Sequence, residues 1–430
     1  MVLAFGNSSR CYTQAVKSII TARVREREYN KVRREDFENG FAARLVQTPQ
    51  GYWAYVPPPL EPEIQFDRPL VRLLSDADRA LSELAGIART LPNPHLLIAP
   101  FVRREAVLSS RIEGTQASYS DLLFFEAANL REKDVPDVRE VANYVKALEY
   151  GLKRVETLPL SLRLIREIHA QLLDGVRGDH LTPGEFRRTQ NWIGPAGCTL
   201  QDATYVPPPV TQMHECLSTL EKYFHSPSEL PPLVRLALVH YQFESIHPFL
   251  DGNGRIGRLL ITLLLCKERL LPQPLLYLSE FFERKRDEYY RLLLAVSQRG
   301  AWHDWISYFL RAVASQSRDA IRRSDQLLAL RQAYREKLQE ARASALLLQI
   351  VDDLFLYPAI TNPGTSKRLG ITPRAAQLNI DKLVTVGILT EATGQRRNRV
   401  YVAAEIVHVL ERVEQLAGSG SAAEQAHADG

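Results

Sequence analysis

Apolar residues recur at three- and four-residue spacing through block after block of this chain, and prolines or glycines cut the blocks apart. That spacing puts apolar side chains on one face of an α-helix, so the chain reads as mainly α. "RPLVRLLSDADRALSELAGIART" is one such block, and "PHLLIAPFVRREAVLSSRIEG" a second that stops at Gly114, as a helix with a C′ glycine would. "ASYSDLLFFEAAN" is a third, and after "KDVPDV" the rhythm resumes in "REVANYVKALEYGLKRV", "SLRLIREIHAQLLDGV" and "PPLVRLALVHYQFESI". It returns in "AWHDWISYFLRAVASQSRDAIRR" and a charged connecting helix to about Ala341.

Two stretches depart from this rhythm. Thr182 to Pro209 is rich in glycine, proline and β-formers and predicts a β-hairpin or flap, with its turn near Pro195–Gly197. Past Ala341, "ALLLQIVDDLFLYPAI" and "GTSKRLG" predict two helices. "ITPRAAQLNIDKLVTVG" predicts a third, with Thr372 as N-cap and Pro373 at N1. "ILTEATGQRRNRVYVA" then predicts two strands around a basic turn, and the whole is the order of a winged helix. "VPPPLEPE" is a linker, because consecutive prolines cannot sit inside a helix. The tail "AGSGSAAEQAHADG" has no apolar density and predicts disorder.

A length of 430 residues fits about two to four domains. The net charge of +4 is small for that length, so bulk charge does not argue for nucleic acid, although local patches could. The four cysteines, Cys11, Cys198, Cys216 and Cys266, are far apart and form no C-x-x-C. This disfavours a disulfide framework or a zinc knuckle and fits a reducing cytoplasm. No apolar run of about 18 residues predicts a membrane span, and the amino terminus does not read as a signal peptide.

"HPFLDGNGRIGR", His247 to Arg258, poses an electrostatic problem. It reads as a loop entering a helix, so Arg255 and Arg258 fall in the first turn, on one face. That end carries partial positive charge, and each misplaced cation costs roughly 0.3–1 kcal/mol at an exposed site. A bound polyphosphate would reverse the sign of the problem. Gly252, Asn253 and Gly254 would offer free N–H groups as an anion nest, and arginine suits bidentate phosphate contact. Asp251 is then placed to hold Mg²⁺, which needs few protein ligands when it bridges phosphates. His247 is the natural general base for a hydroxyl attacking phosphorus. His240, Glu244 and His247 also share one helical face and could bind a metal such as zinc, but no H-E-x-x-H signature supports that.

The twelve residues resemble the Fic-family motif, H-P-F-x-[DE]-G-N-G-R-x-x-R, without a departure. The resemblance extends over roughly residues 60–340. It implies transfer of AMP from ATP to a Ser, Thr or Tyr hydroxyl of a target protein, with His247 as base and Asp251 on Mg²⁺. Gly252 to Arg258, with Ile256 and Gly257 among them, would bind ATP, Arg255 at the β-phosphate and Arg258 at the γ-phosphate. Tyr277–Tyr290 resembles the segment that closes over adenine, with Glu283 where many relatives carry Asn.

"SSRIEGT" admits two readings. Ser110-x-x-Glu113 could be a capping box, but the preceding residues already look helical and Gly114 looks like a stop. Glu113 would then sit near a helix carboxyl end, where the dipole disfavours it. The segment resembles the Fic inhibitory motif, Ser109-x-x-x-Glu113-Gly114, whose glutamate pairs with the second arginine, here Arg258.

The resemblance thus implies a Fic-type helical bundle with a small β-hairpin flap, plus a C-terminal winged helix. The expected segments are an extension over 1–57, a helical region with the inhibitory helix over 58–133, and a catalytic core over 134–315. A connecting helix over 316–341, a winged helix over 342–412 and a disordered tail over 413–430 follow. Flap residues Ile193, Gly194, Tyr205 and Val206 would dock an extended target segment by main-chain bonds. Arg396, Arg397 and Arg399, with Arg374 and Lys382, could track DNA; a homodimer is a further partner the sequence admits. Two rivals stand beside AMP transfer: a winged-helix regulator whose Fic fold senses nucleotide, and removal of AMP by the same site.

Overall fold

The computed structural model describes residues 32–90, 94–128, 136–195, 197–340, 344–395 and 397–412. The amino-terminal residues 1–31, Ala196 in the flap turn, Ala341, Arg396 and the tail from residue 413 lie outside the described residues. After a 3₁₀ turn and a one-turn helix, β1 (Leu45–Gln47) pairs antiparallel with β2 (Trp53–Tyr55). Helices α1 (Arg68–Thr90), α2 (His95–Ile112), α3 (Tyr119–Ala128), α4 (Pro136–Arg154) and α5 (Leu162–Leu172) follow. Beyond the flap come α6 (Val210–His225), α7 (Pro232–Ile246), α8 (Asn253–Lys267), α9 (Ser279–Arg284), α10 (Arg286–Arg299) and α11 (Trp302–Glu340). The last elements are α12 (Ala345–Leu356), β3 (Ala359–Thr361), α13 (Asn362–Leu369), α14 (Pro373–Thr385), β4 (Thr390–Glu391), β5 (Val400–Val402) and α15 (Ala404–Glu411). The chain is mainly helical, as its periodicity predicts. Among the described residues no helix is long and apolar enough to cross a membrane.

Contacts divide the chain into two compact units. One takes residues up to 94, 105–117 and 131–321; the other takes 95–104, 118–130 and residues from 322 on. The sequential segments 58–133, 134–315, 316–341 and 342–412 do not follow this grouping. The side chains explain it. Within the second unit, Arg103 Nε pairs with Glu126 Oε2 at 2.7 Å and Arg104 Nε donates to the Leu410 carbonyl at 2.8 Å. Thr361 Oγ1 donates to the Ala127 carbonyl at 3.3 Å, so residues far upstream share a core with the carboxyl-terminal helices.

The first unit holds the candidate site. Helix α8 is buried on nearly every side, with Ile256, Leu259 and Leu263 wholly inaccessible, so its amino-terminal end starts inside the protein. Helix α7 is as apolar and ends where the motif begins. Close approach at Gly151 brings α4, α5 and α8 together. A Cβ there would lie 3.0 Å from Ile168 Cδ1 and 3.2 Å from Leu263 Cδ1.

The flap is less regular than a hairpin. A single bridge pairs Ile193 with Tyr205, and a 3₁₀ turn spans Leu200–Asp202. Proline supplies no N–H for a ladder, and Pro195 and Pro207 to Pro209 frame this segment. Residues 32–57, whose pattern was weak in sequence, brace it: Tyr55 N–H donates to the Val206 carbonyl at 2.9 Å, and Phe37, Leu45 and Tyr55 pack with Tyr205.

The second unit carries a three-stranded sheet of order β3–β5–β4, both pairs antiparallel. Its elements run helix–strand–helix–helix–hairpin, with a strand that the sequence reading did not contain. The segment "LYPAI", read as helix, leaves the helix at Leu356 and forms β3, because Pro358 bars αR for the residue before it. Helix α15 was not foreseen.

Overpacking the meeting point of α4, α5 and α8 should destabilise the first unit. Gly151→Leu is expected to cost about 1–3 kcal/mol, measured as a lower urea midpoint with an unchanged m-value.

Candidate active site

The motif loop is held by its own carbonyls. Helix α7 ends at Ile246, and His247 takes a left-handed conformation with φ 48° and ψ 60°. For a residue with a Cβ that conformation costs about 1–2 kcal/mol, so the surroundings must impose it. The His247 carbonyl accepts from Arg187 Nε at 3.1 Å and from Asn191 Nδ2 at 3.0 Å. The Pro248 carbonyl accepts from the Arg187 N–H at 2.9 Å. The Phe249 carbonyl accepts from Asn191 Nδ2 at 2.7 Å and Asn253 Nδ2 at 2.8 Å. Gly252 turns the chain into α8 with φ +78°, which glycine adopts without strain.

His169 secures the next carbonyl. Its Nδ1 accepts from the Gly184 N–H at 2.8 Å, so the proton lies on Nε2, which donates to the Asp251 carbonyl at 3.0 Å. Burial drops its pKa to about 4, which keeps this tautomer neutral. The ring stacks on Phe249 with centroids 3.7 Å apart.

His247 keeps one ring nitrogen as an acceptor. Its Nδ1 lies 3.2 Å from the Glu244 carbonyl. A carbonyl only accepts, so Nδ1 carries the proton and Nε2 keeps its lone pair. Burial lowers its pKa to about 4, opposed by the Glu244 carbonyl and reinforced by the charge of Arg187.

Beyond the histidine, Glu113 sits where an anion would. A Cβ on Gly254 would fall 2.2 Å from Glu113 Oε1, which places the carboxylate over the first turn of α8. Arg258, 2% exposed, donates from Nη2 to Glu113 Oε1 at 2.7 Å. Its Nε donates to Ser109 Oγ at 2.8 Å and its Nη2 also to the Ser109 carbonyl at 2.9 Å. Withdrawal from water would raise the Glu113 carboxyl, but the charge and hydrogen bond of Arg258 outweigh it and hold the pKa below its usual value. Glu113 is the C-cap of α2 and Gly114, with φ +98°, turns the chain away. This geometry is not a capping box.

Arg255 faces a different carboxylate pair. It is 1% exposed, with Nη2 3.3 Å from Asp251 Oδ1 and Nη1 3.6 Å from Glu140 Oε2. Glu140 was not singled out in sequence, because a glutamate on an ordinary helix carries no signal. Arg255 Nε and Nη1 and Arg258 Nη1 are buried without hydrogen-bond partners.

Ile256 and Gly257, also expected at the ATP site, have the following surroundings. Ile256 is fully buried in the core and its N–H donates to the Gly252 carbonyl at 3.0 Å. Gly257 makes room: a Cβ there would lie 2.2 Å from Glu244 Oε1. The zinc arrangement fails. The Gly257 carbonyl takes His240 Nδ1–H at 3.1 Å, and the Tyr289 hydroxyl donates to His240 Nε2 at 2.8 Å, so both ring nitrogens are engaged. Among the described residues no group of three or more His, Cys, Asp and Glu could hold a metal.

Asp251 contributes a single carboxylate to the loop. Its Oδ1 accepts from the Gly252 N–H at 2.6 Å. A Cβ on Gly178 would come within 2.7 Å of Oδ2, so that glycine keeps the space beside Oδ2 open. A single carboxylate is enough where substrate phosphates supply other ligands.

In the flap, the Tyr205 hydroxyl lies 2.9 Å from the Ser245 carbonyl and donates to it, and the Val206 carbonyl is taken by Tyr55. These two residues therefore brace the flap from inside. Ile193 exchanges main-chain bonds with Tyr205, so alternation turns Trp192 and Gly194 to the opposite edge. Glu283 lies half-buried on α9.

Comparison with known proteins finds two family models that match parts of the chain. Residues 71–153 match the Fic/DOC family N-terminal model and residues 159–265 the Fic/DOC family model. A protein adenylyltransferase Fic from Drosophila grimshawi is 31% identical over 164 residues, 37% of this chain and 30% of that protein. Its counterpart from Drosophila virilis is 33% identical over 138 residues, 31% of this chain and 26% of that protein. The chain thus spans less than a third of the length of these relatives. A Fic family protein from Desulfovibrio desulfuricans G20 shares the fold, with a TM-score of 0.51 at 18% identity over 83% of this chain and 100% of that one.

Glu244 provides a pH test of the geometry. Its Oε1 is buried without a partner, and burial raises its pKa from 4.5 to about 8 despite Arg258. The folded protein therefore holds a proton that the unfolded chain releases above about 4.5, so stability falls as pH rises toward 8. Glu244→Gln removes this titration. Its melting temperature should exceed wild type by several degrees at pH 9 and by little at pH 5; an equal difference at both would contradict the assignment.

Proposed function

Over residues 71–153 and 159–265 this chain belongs to the Fic/DOC family, and on that premise we propose that it is a cytoplasmic protein adenylyltransferase held in check by Glu113. The carrying observation is one juxtaposition. A histidine with a free Nε2 stands beside a buried helix amino terminus whose anion place is filled by a carboxylate of the chain itself.

The reaction follows from these groups. The hydroxyl oxygen of a target Ser, Thr or Tyr attacks the α-phosphorus of ATP, and His247 Nε2 takes the hydroxyl proton. The bond from the α-phosphorus to the oxygen bridging to the β-phosphate breaks, and diphosphate leaves with that electron pair. Main-chain N–H groups of Asn253 and Gly254 at the start of α8 face the phosphates. The unpartnered donors of Arg255 and Arg258 are suited to the departing diphosphate. Mg²⁺ held by Asp251 would neutralise charge on the phosphate oxygens. A target segment would lie along the Trp192–Gly194 edge of the flap, within reach of His247.

Glu113 opposes this in two ways. It occupies Arg258, the partner expected for the terminal phosphate, and it places negative charge over Gly254 where a phosphate would lie. The glutamate and the nucleotide compete for one cation. Removing the carboxylate frees the guanidinium and the space together.

The test is AMP transfer from labelled ATP in a cell lysate, with the labelled proteins identified. Glu113→Gly should raise labelling on the order of tenfold or more, the effect of ~1.4 kcal/mol of relieved competition. His247→Ala in the same background should abolish it while leaving the melting curve unchanged. Equal labelling with and without Glu113 would overturn inhibition. A salt-dependent shift of DNA without labelling would favour the regulator reading, and release of AMP from a modified target would favour the reverse reaction.

The acidic limb of the rate profile is a separate check. An ordinary histidine loses its base form below about pH 6.5, whereas burial brings His247 to about 4. Labelling by Glu113→Gly should therefore stay level from pH 8 to pH 6 and fall only below about pH 5. An inflection near 6.5 would mean that His247 is not the titrating base.

A further inference from the structure

Arg187 is a buried cation with an unusual set of partners. It is fully inaccessible, and among the described residues no carboxylate lies within ion-pair distance of it. Leaving a guanidinium in the interior without a counter-ion is costly unless its donors are met by well-placed acceptors. Each acceptor here is a main-chain carbonyl. Nε donates to His247 at 3.1 Å, Nη1 to Thr189 at 3.3 Å and Nη2 to Pro208 at 2.5 Å. Its own N–H adds a bond to the Pro248 carbonyl at 2.9 Å. The planar fork thus ties three places in the chain together: the two ends of the flap, at Thr189 and Pro208, and the residue expected to act as base.

We propose that Arg187 is a positioning residue for His247: its buried fork fixes the histidine carbonyl, and so the left-handed backbone from which the imidazole projects, in register with the flap. The proposal rests on the assignment of His247 as base. The conformation needs such a fixture, since φ 48° is unfavourable for a residue with a Cβ. Asn191 supports the same carbonyl with a neutral donor at 3.0 Å. A single carbonyl that accepts from both Arg187 and Asn191 of the flap segment is a rigid hinge point between target docking and proton removal. The charge has a second effect. The groups that act on the imidazole are Arg187, Glu113, Asp251 and the Glu244 carbonyl, and of these Arg187 disfavours the imidazolium while the others favour it.

The experiment compares Arg187→Met, Arg187→Lys and Asn191→Ala, each in the Glu113→Gly background, with His247→Ala as control. Labelling kinetics are normalised to folded protein, and the His247 imidazole is titrated by NMR. Arg187→Met should lower kcat about tenfold or more with KM for ATP within about twofold, the pattern of a lost transition-state interaction, and the imidazole should titrate at higher pH. Arg187→Lys keeps charge but loses the fork, so kcat should fall with a smaller change in titration. Asn191→Ala should lower kcat without moving the titration. Folded Arg187→Met with the parent's kcat and titration would overturn the proposal, as would a loss confined to KM. If Arg187→Met does not fold, parental kcat in both other variants overturns it. Full activity in His247→Ala would instead overturn the base assignment, and no labelling by Glu113→Gly itself would overturn the transferase reading.

Discussion

The ion pair between Arg258 and Glu113 is the contact around which the first unit is organised. Arg258 lies in the second turn of a helix buried on nearly all sides, where burial opposes an unpaired cation. Glu113 closes α2 at its negative end, where a carboxylate is equally misplaced. Each charge is unfavourable alone, and together they satisfy each other at 2.7 Å, with Ser109 taking two further bonds from the guanidinium. The pair joins two helices 145 residues apart in the chain, and it does so over the anion site of α8. Under the proposed function, the contact that stabilises this unit is also the one that would obstruct the site.

The other titratable groups keep that charge pattern simple. Burial holds His247, His169 and His240 neutral, and it keeps the Glu244 carboxyl protonated near neutral pH. The hydrogen bonds then assign each proton: on Nδ1 of His247 and His240, and on Nε2 of His169. His240 locks α7 to α8 through the Gly257 carbonyl, and His169 steadies the loop through Asp251. Of the three histidines, only His247 keeps a ring nitrogen without a protein partner. The structure engages the other ring nitrogens in hydrogen bonds.

Much of this was legible from residue order. Helical periodicity marked most of the helices, and Pro248, Gly252 and Gly114 marked where chains must turn. The motif loop was legible because its ligands are contiguous: twelve residues carry base, nest, carboxylate and two arginines. Within that motif the Ile256 side chain faces the core, and Gly257 leaves room for Glu244. Glu140, His169, Arg187 and Asn191 were not singled out. Each acts on a group distant in sequence, and each residue type is common on helices and loops. The amino-terminal hairpin was invisible because its strands are three residues long and are stabilised by packing on Tyr205.

By itself, then, the sequence determined that the chain would be mainly helical and that His247 to Arg258 would form a loop entering a helix. It also placed a carboxylate at Glu113 on a helix that ends there, because period, capping and turn chemistry are local properties. Only the tertiary structure decided that this carboxylate reaches Arg258, that Arg255 turns to Glu140, and that Arg187 grips the carbonyl of His247. Those outcomes depend on which buried donors and acceptors come within about 3 Å of one another, and that proximity is set by helix packing across the whole unit.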